Sequence, residues 1–124
     1  MTNSIFQTIY DGILSLNIPA WNKLVFYAQY DKDSYEMKFY IEHGGEFKDC
    51  FSLGIPTNVI IDCFAELDKE VCKARDQFLK ENHELWNVMT IIFDPNIHFR
   101  TEFDYSEVED SISYKSEWKK KYLI

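Results

Sequence analysis

No CxxC, GxGxxG or GxSxG occurs in the sequence, and no GxxxxGK followed by Ser or Thr. Paired-thiol metal sites, dinucleotide folds, hydrolase nucleophile elbows and P-loops therefore lack their defining residues. Histidine is scarce: His43, His83 and His98 are the only three, and no two stand i, i+4 apart, so no helical metal pair exists. The three cysteines, Cys50, Cys63 and Cys72, are an odd number, which fits neither a disulfide framework nor a zinc site. On one helix, Cys63 and Cys72 would point to roughly opposite sides. They are expected as small, buried hydrophobes in a reducing compartment. The opening stretch MTNSIFQTIYDG carries no basic n-region and no long apolar run, so no secretory signal is expected. No apolar stretch approaches the length of a membrane span. The expectation is a cytoplasmic protein with no membrane partner, no cofactor and no metal. With only four glycines and three prolines, and no repeat, no stretch reads as a linker. A single domain over residues 1–124 is expected.

Positive charge is also short. Thirteen Lys and Arg face 21 Asp and Glu, for a net charge of −8. Phosphate contacts supply most nucleic-acid affinity, so this balance argues against a DNA or RNA partner. It suits steering towards a basic protein, and it equally suits plain solubility.

What is abundant is apolar: 46% hydrophobic residues and 17% aromatics, a globular composition. Ser4-Ile5-Phe6-Gln7 matches a capping box, and Ile5, Ile9, Ile13 and Leu16 follow at helical spacing, ending before Pro19. Three strands are predicted at Leu24–Tyr30, Tyr35–Glu42 and Phe47–Leu53, joined by the turns DKDS and HGGE. A long helix over Asn58–Glu81 carries the stripe Ile60, Phe64, Leu67, Val71, Ala74 and Phe78. A hairpin follows: Trp86–Phe93, the turn Asp94-Pro95-Asn96, and a return strand. Ile97, Phe99, Thr101, Phe103 and Tyr105 share one side of that strand. His98, Arg100, Glu102 and Asp104 share the other, which reads as wet. Last comes a short helix with Ile112, Lys115, Trp118 and Tyr122 roughly on one face. The pattern predicts an α+β domain in order α-β-β-β-α-β-β-α: a two-layer fold with an antiparallel five-stranded sheet and helices packed on one face. Trp21 and Trp86 are expected as core anchors.

Glu102 and Asp104 fall on one strand face and could be read as a carboxylate pair. Beside His98 and Arg100 they are solvated, and solvated carboxylates are poor general acids near neutral pH. No catalytic residue is expected. Between Thr101 and Tyr114 stand Glu102, Asp104, Glu107, Glu109 and Asp110, with no lysine or arginine among them. The block reads either as a solvated strand end and loop or as a docking patch for a basic surface.

Four segments carry a resemblance. Pro19-Ala20-Trp21-Asn22-Lys23 precedes the first aromatic strand, and Trp86 opens the fourth strand after a long charged helix. Asp94 to Phe103-Asp104-Tyr105 keeps the spacing of D-x-x-G-K-F-x-x-x-Y-D-Y, and Lys121-Tyr122-Leu123 closes the chain. In these the sequence resembles the YezG-like immunity proteins, also called the YezG/EsaG antitoxin family. It departs from the family pattern in having one residue rather than two between Pro19 and Trp21, and in Leu85, Asn87, Ile97 and Ile124. The resemblance implies a non-enzymatic immunity protein of polymorphic toxin systems, including contact-dependent ones. Such a protein binds the C-terminal domain of a secreted toxin, typically a basic nuclease, and blocks it. The free protein is expected to be a monomer. Glu102, Asp104, Glu107, Glu109 and Asp110 are the toxin-binding candidates. Two other readings stand beside this one: an SMI1/KNR4-like immunity or scaffold protein with a non-nuclease partner, and a small hydrolase using His98 with Asp94, Glu102 or Asp104.

Overall fold

The computed structural model describes residues 3–96 and 98–124, so the side assigned to Ile97 lies outside the described residues. Among the described residues, three α-helices and five strands occur in the expected order: α1 (Asn3–Leu14), β1 (Lys23–Tyr30), β2 (Tyr35–His43), β3 (Glu46–Asp49), α2 (Thr57–Asn82), β4 (Val88–Phe93), β5 (Phe99–Asp104) and α3 (Ser111–Tyr122). All neighbouring strands are antiparallel, in the spatial order β3-β2-β1-β4-β5. The fold is α+β. The chain forms two compact units, each made of two segments: α1 to Ala20 with Cys50–Leu85, and Trp21–Asp49 with Trp86–Ile124.

The first unit is helical. Helix α2 buries Ile60, Phe64, Leu67, Val71 and Phe78, the stripe its spacing predicts. It ends at His83, whose left-handed backbone (φ 58°) lets its N–H reach the Leu79 carbonyl. Gly12 of α1 faces α2 closely: a Cβ there would meet Leu67 Cδ2 at 3.0 Å. The Cys63 thiol donates to the Gly12 carbonyl at 3.5 Å, and burial pushes its pKa up. The predicted capping box does not form. Ser4 lies inside α1, not at a cap position, and the Gln7 side chain donates forward to Asp11 at 2.9 Å.

The predicted third strand is also shorter than expected. It stops at Asp49, and Cys50–Ser52 turn as a single 3-10 turn. Cys50 is buried there and Phe51 stacks edge-on against Phe64 of α2, 6.4 Å between centroids. Packing within the helical unit wins over the apolar alternation that suggested a continued strand.

The second unit is the sheet with α3. Gly44 and Gly45, both at positive φ, make the tight β2–β3 turn. Strand β1 is buried from Leu24 to Tyr30 without alternation. Helix α3 lies on the face that carries Val25, Tyr27, Tyr40 and Val88, with Trp118 in the midst of them. Its inward residues are Tyr114, Trp118 and Tyr122, with Leu123 just past its end. Ile112, expected on that side, is 84% exposed, because helical spacing from Trp118 runs through Tyr114 and not through Ile112. Trp86 is fully buried, whereas Trp21 is only half-buried.

Candidate partner-binding surface

The acidic block begins on the sheet face that α3 covers. Strand register sets Val88, Thr90 and Ile92 opposite Asp104, Glu102 and Arg100, so these share the face of Trp118. The side of β5 expected to be wet is thus partly roofed by a helix, and Glu102 and Asp104 are half-buried. The roof is itself polar at its rim, which is why a polar strand face can lie beneath it. Tyr114 donates its hydroxyl to Asp104 at 2.8 Å, Lys121 Nζ stands 3.8 Å from Glu102, and Lys115 pairs with Glu36 of β2. Between β5 and α3 a cleft of about 260 Å³ remains, with Glu102, Asp104, Glu117 and Lys121 at its walls.

Each end of the loop from Tyr105 to Asp110 is pinned. At its start, the Asn87 side-chain amide donates to the carbonyls of Tyr105 and Ser106, at 3.1 and 2.9 Å. Asp104 accepts the Ser106 N–H at 2.8 Å. At its end, Asp110 caps α3, accepting from the N–H groups of Ile112 and Ser113 and from the Ser113 hydroxyl. Glu107 and Glu109, between the pins, are exposed and make no ion pair among the described residues. The five acidic residues therefore divide by role. Asp104 and Asp110 build the seat of α3, Glu102 lies at its rim with Lys121 no nearer than 3.8 Å, and Glu107 and Glu109 project from a loop held at both ends.

The carboxyl of Asp104 titrates below its ordinary value. Burial pushes it up, but hydrogen bonds from the Ser106 N–H and the Tyr114 hydroxyl outweigh that. Asp110 is also lowered, first by the Ser113 N–H and then by the Ser113 hydroxyl. The partner Tyr114 is raised by burial and by its bond to Asp104. Because both carboxyls are depressed in the folded state, their stabilisation is complete above the unfolded value of about 4 and is lost as pH falls through the folded values. The thermal midpoint should drop below about pH 4, and an Asp104→Asn variant should show a shallower drop. Melting curves from pH 6 to pH 2 check this; parallel curves for the two proteins would contradict it.

His98 is brought near one carboxylate, with Nδ1 at 3.4 Å from Asp94 Oδ2, on a side chain 81% exposed. Asp94 meanwhile accepts the N–H groups of Asn96 and His98, an ordinary Asx turn. The open cleft beside His98 has no serine, threonine or cysteine in its lining. Among the described residues no group of three His, Cys, Asp or Glu side chains could hold a metal ion, and no helix is long and apolar enough to cross a membrane.

The sequence pattern missed the loop's supports, Asn87, Ser106 and Tyr114. One signal was present for the last of them: Tyr114, Trp118 and Tyr122 recur at i, i+4, i+8, an aromatic stripe.

Comparison with known proteins gives two findings. The family model described as "Immunity protein YezG-like" matches residues 2–123. The immunity protein YezG of Bacillus spizizenii is 26% identical over 110 residues, which cover 84% of this chain and 68% of the relative.

Proposed function

Because the chain belongs to the YezG-like family of immunity proteins, we propose that it neutralises a toxin by binding the toxic domain through the pinned acidic loop. The single observation behind this reading is the pair Glu107 and Glu109, exposed and unpaired between two anchored ends. A carboxylate already used in a fold has little to give a partner, whereas a free one on a rigid loop pays little ordering entropy on contact. The partner that fits a chain of net charge −8 is basic. A nuclease is basic where it holds phosphate, so a secreted nuclease domain is the proposed target, with the loop shielding its substrate groove. An odd count of three cysteines suits action in the cytoplasm.

The experiment measures binding of the toxin domain that co-purifies with the chain. A Glu107→Gln/Glu109→Gln variant should associate about tenfold more slowly at low salt, with a flatter dependence on ionic strength. Dissociation should change less. An unchanged association rate would remove the loop from the interface. A target domain without nuclease activity would remove the nuclease assignment.

A further inference from the structure

Strand β5 ends the sheet, and its outer edge has a sequence property that the toxin-binding reading does not use. Backbone geometry comes first. The Asp94 N–H bonds the His98 carbonyl and the Asn87 N–H bonds the Asp104 carbonyl, so these even-numbered positions turn their backbone groups towards β4. Antiparallel alternation then turns those of Phe99, Thr101 and Phe103 outward, to the open edge. Side chains alternate as well: His98, Arg100, Glu102 and Asp104 to one face, Phe99, Thr101 and Phe103 to the other.

Consider a second copy of the same edge, laid antiparallel about a two-fold axis through Thr101. The outward groups of Thr101 meet those of Thr101 in the second copy, and those of Phe99 meet Phe103. Arg100 then stands opposite Glu102, and His98 opposite Asp104, twice each by symmetry. Arg100 and Glu102 occupy the non-hydrogen-bonded positions, where facing side chains approach most closely. On the other face, two Phe99–Phe103 pairs form. A slip of one step either way sets Arg100 against Arg100 or Glu102 against Glu102, the latter with Arg100 opposite Asp104, so the register through Thr101 is the one that sets no like charges together. Charges placed only to keep an edge unpaired would repel a copy in every register. Here the register through Thr101 opposes only unlike charges. The groups are available: Arg100 is 71% exposed at its side chain and Phe99 is 38% exposed. Glu102 meets Arg100 and Lys121 of its own chain only at 3.8 Å, the limit of ion-pair distance.

We propose that the free protein forms a two-fold dimer by β5–β5 edge pairing, with Arg100 and Glu102 as reciprocal cross-strand partners. The occupant of the edge is a second copy of this chain, in place of the monomer expected from the sequence. The inference is independent of the toxin, so its test leaves the loop out.

Sedimentation velocity on the full chain should show a species of twice the 14.8 kDa chain mass that dissociates on dilution. Arg100→Glu and Glu102→Arg should each raise the dimer dissociation constant about tenfold or more, by setting like charges opposite each other. The combined Arg100→Glu/Glu102→Arg protein, with the charges exchanged, should dimerise again. Thr101→Pro removes an outward N–H that β4 does not use, so it should give a monomer with an unchanged far-UV spectrum. A chain that stays monomeric up to near-millimolar concentration overturns the proposal. So does a dimer that survives Arg100→Glu, or a charge exchange that fails to restore pairing while both single variants remain folded.

Discussion

Replacing Trp118 with alanine should cost about 3–5 kcal/mol of stability, the usual penalty for emptying a buried tryptophan site. The side chain is 5% exposed. Its ring meets Tyr27 edge-on at 4.9 Å and lies tilted on Tyr40 at 5.6 Å and Tyr122 at 5.2 Å. Its indole N–H donates to Thr90 Oγ1 at 2.9 Å. Helix α3 has 12 residues, a length at which an isolated helix is marginal in water. It is held by this anchor and by the polar contacts at its rim. Losing the anchor should free α3 first, and with it the Asp110 end of the acidic loop. Trp118→Phe separates packing from hydrogen bonding: it keeps most of the ring contacts but strands the buried Thr90 hydroxyl, at about 1–3 kcal/mol. Urea unfolding gives both numbers, and limited proteolysis after Tyr105 reports the loop. A cost below about 1 kcal/mol for Trp118→Ala would mean that α3 is seated by its charges instead.

Trp86→Ala should cost as much, about 3–5 kcal/mol, but from a different place. Trp86 is fully buried, edge-on to Tyr30 at 5.8 Å and tilted on Phe103 at 5.5 Å. Phe103 belongs to β5, so the substitution should also loosen the β4–β5 pairing while leaving β1–β2 protected. Hydrogen exchange resolves this: amides of β5 should lose protection before those of β2. Uniform loss across the sheet would show that Trp86 supports the whole unit rather than its edge. Trp21, half-buried beside the start of β1, should give a smaller loss for the same change.

Most of the element order was readable because apolar periodicity records which residues share a face. Helix α2 shows this: Ile60, Phe64, Leu67, Val71 and Phe78 are buried as their spacing predicts. Periodicity does not record what covers a face. The polar alternation of His98, Arg100, Glu102 and Asp104 read as water-facing, yet α3 spans part of it with its own polar atoms, Tyr114 and Lys121. The same limit hid the inward side of α3, since a helix with lysines on several sides gives Ile112 no less claim to burial than Tyr114 has. Short-range competition explains two smaller misses. Gln7 bonds Asp11, and Phe51 left the strand for Phe64. Strand order depends on pairings far apart in the chain, which no local pattern encodes. Of the acidic candidates, composition marked the cluster, but only the hydrogen-bond partners separate the residues that hold α3 from those that face outward.

The central place of β1 has a consequence in time. One of its neighbours, β2, follows at once, but the other, β4, is made only after the whole of α2. Gln29 pairs with Val88, roughly 60 residues downstream (88 − 29 = 59). At a synthesis rate of about 5–20 residues per second, one edge of this central strand waits about 3–12 s for its partner. The acidic loop and its anchoring helix come later still. A newly made chain therefore has an interval in which this edge of β1 is unpaired. For an immunity protein, a standing stock of finished molecules avoids that delay.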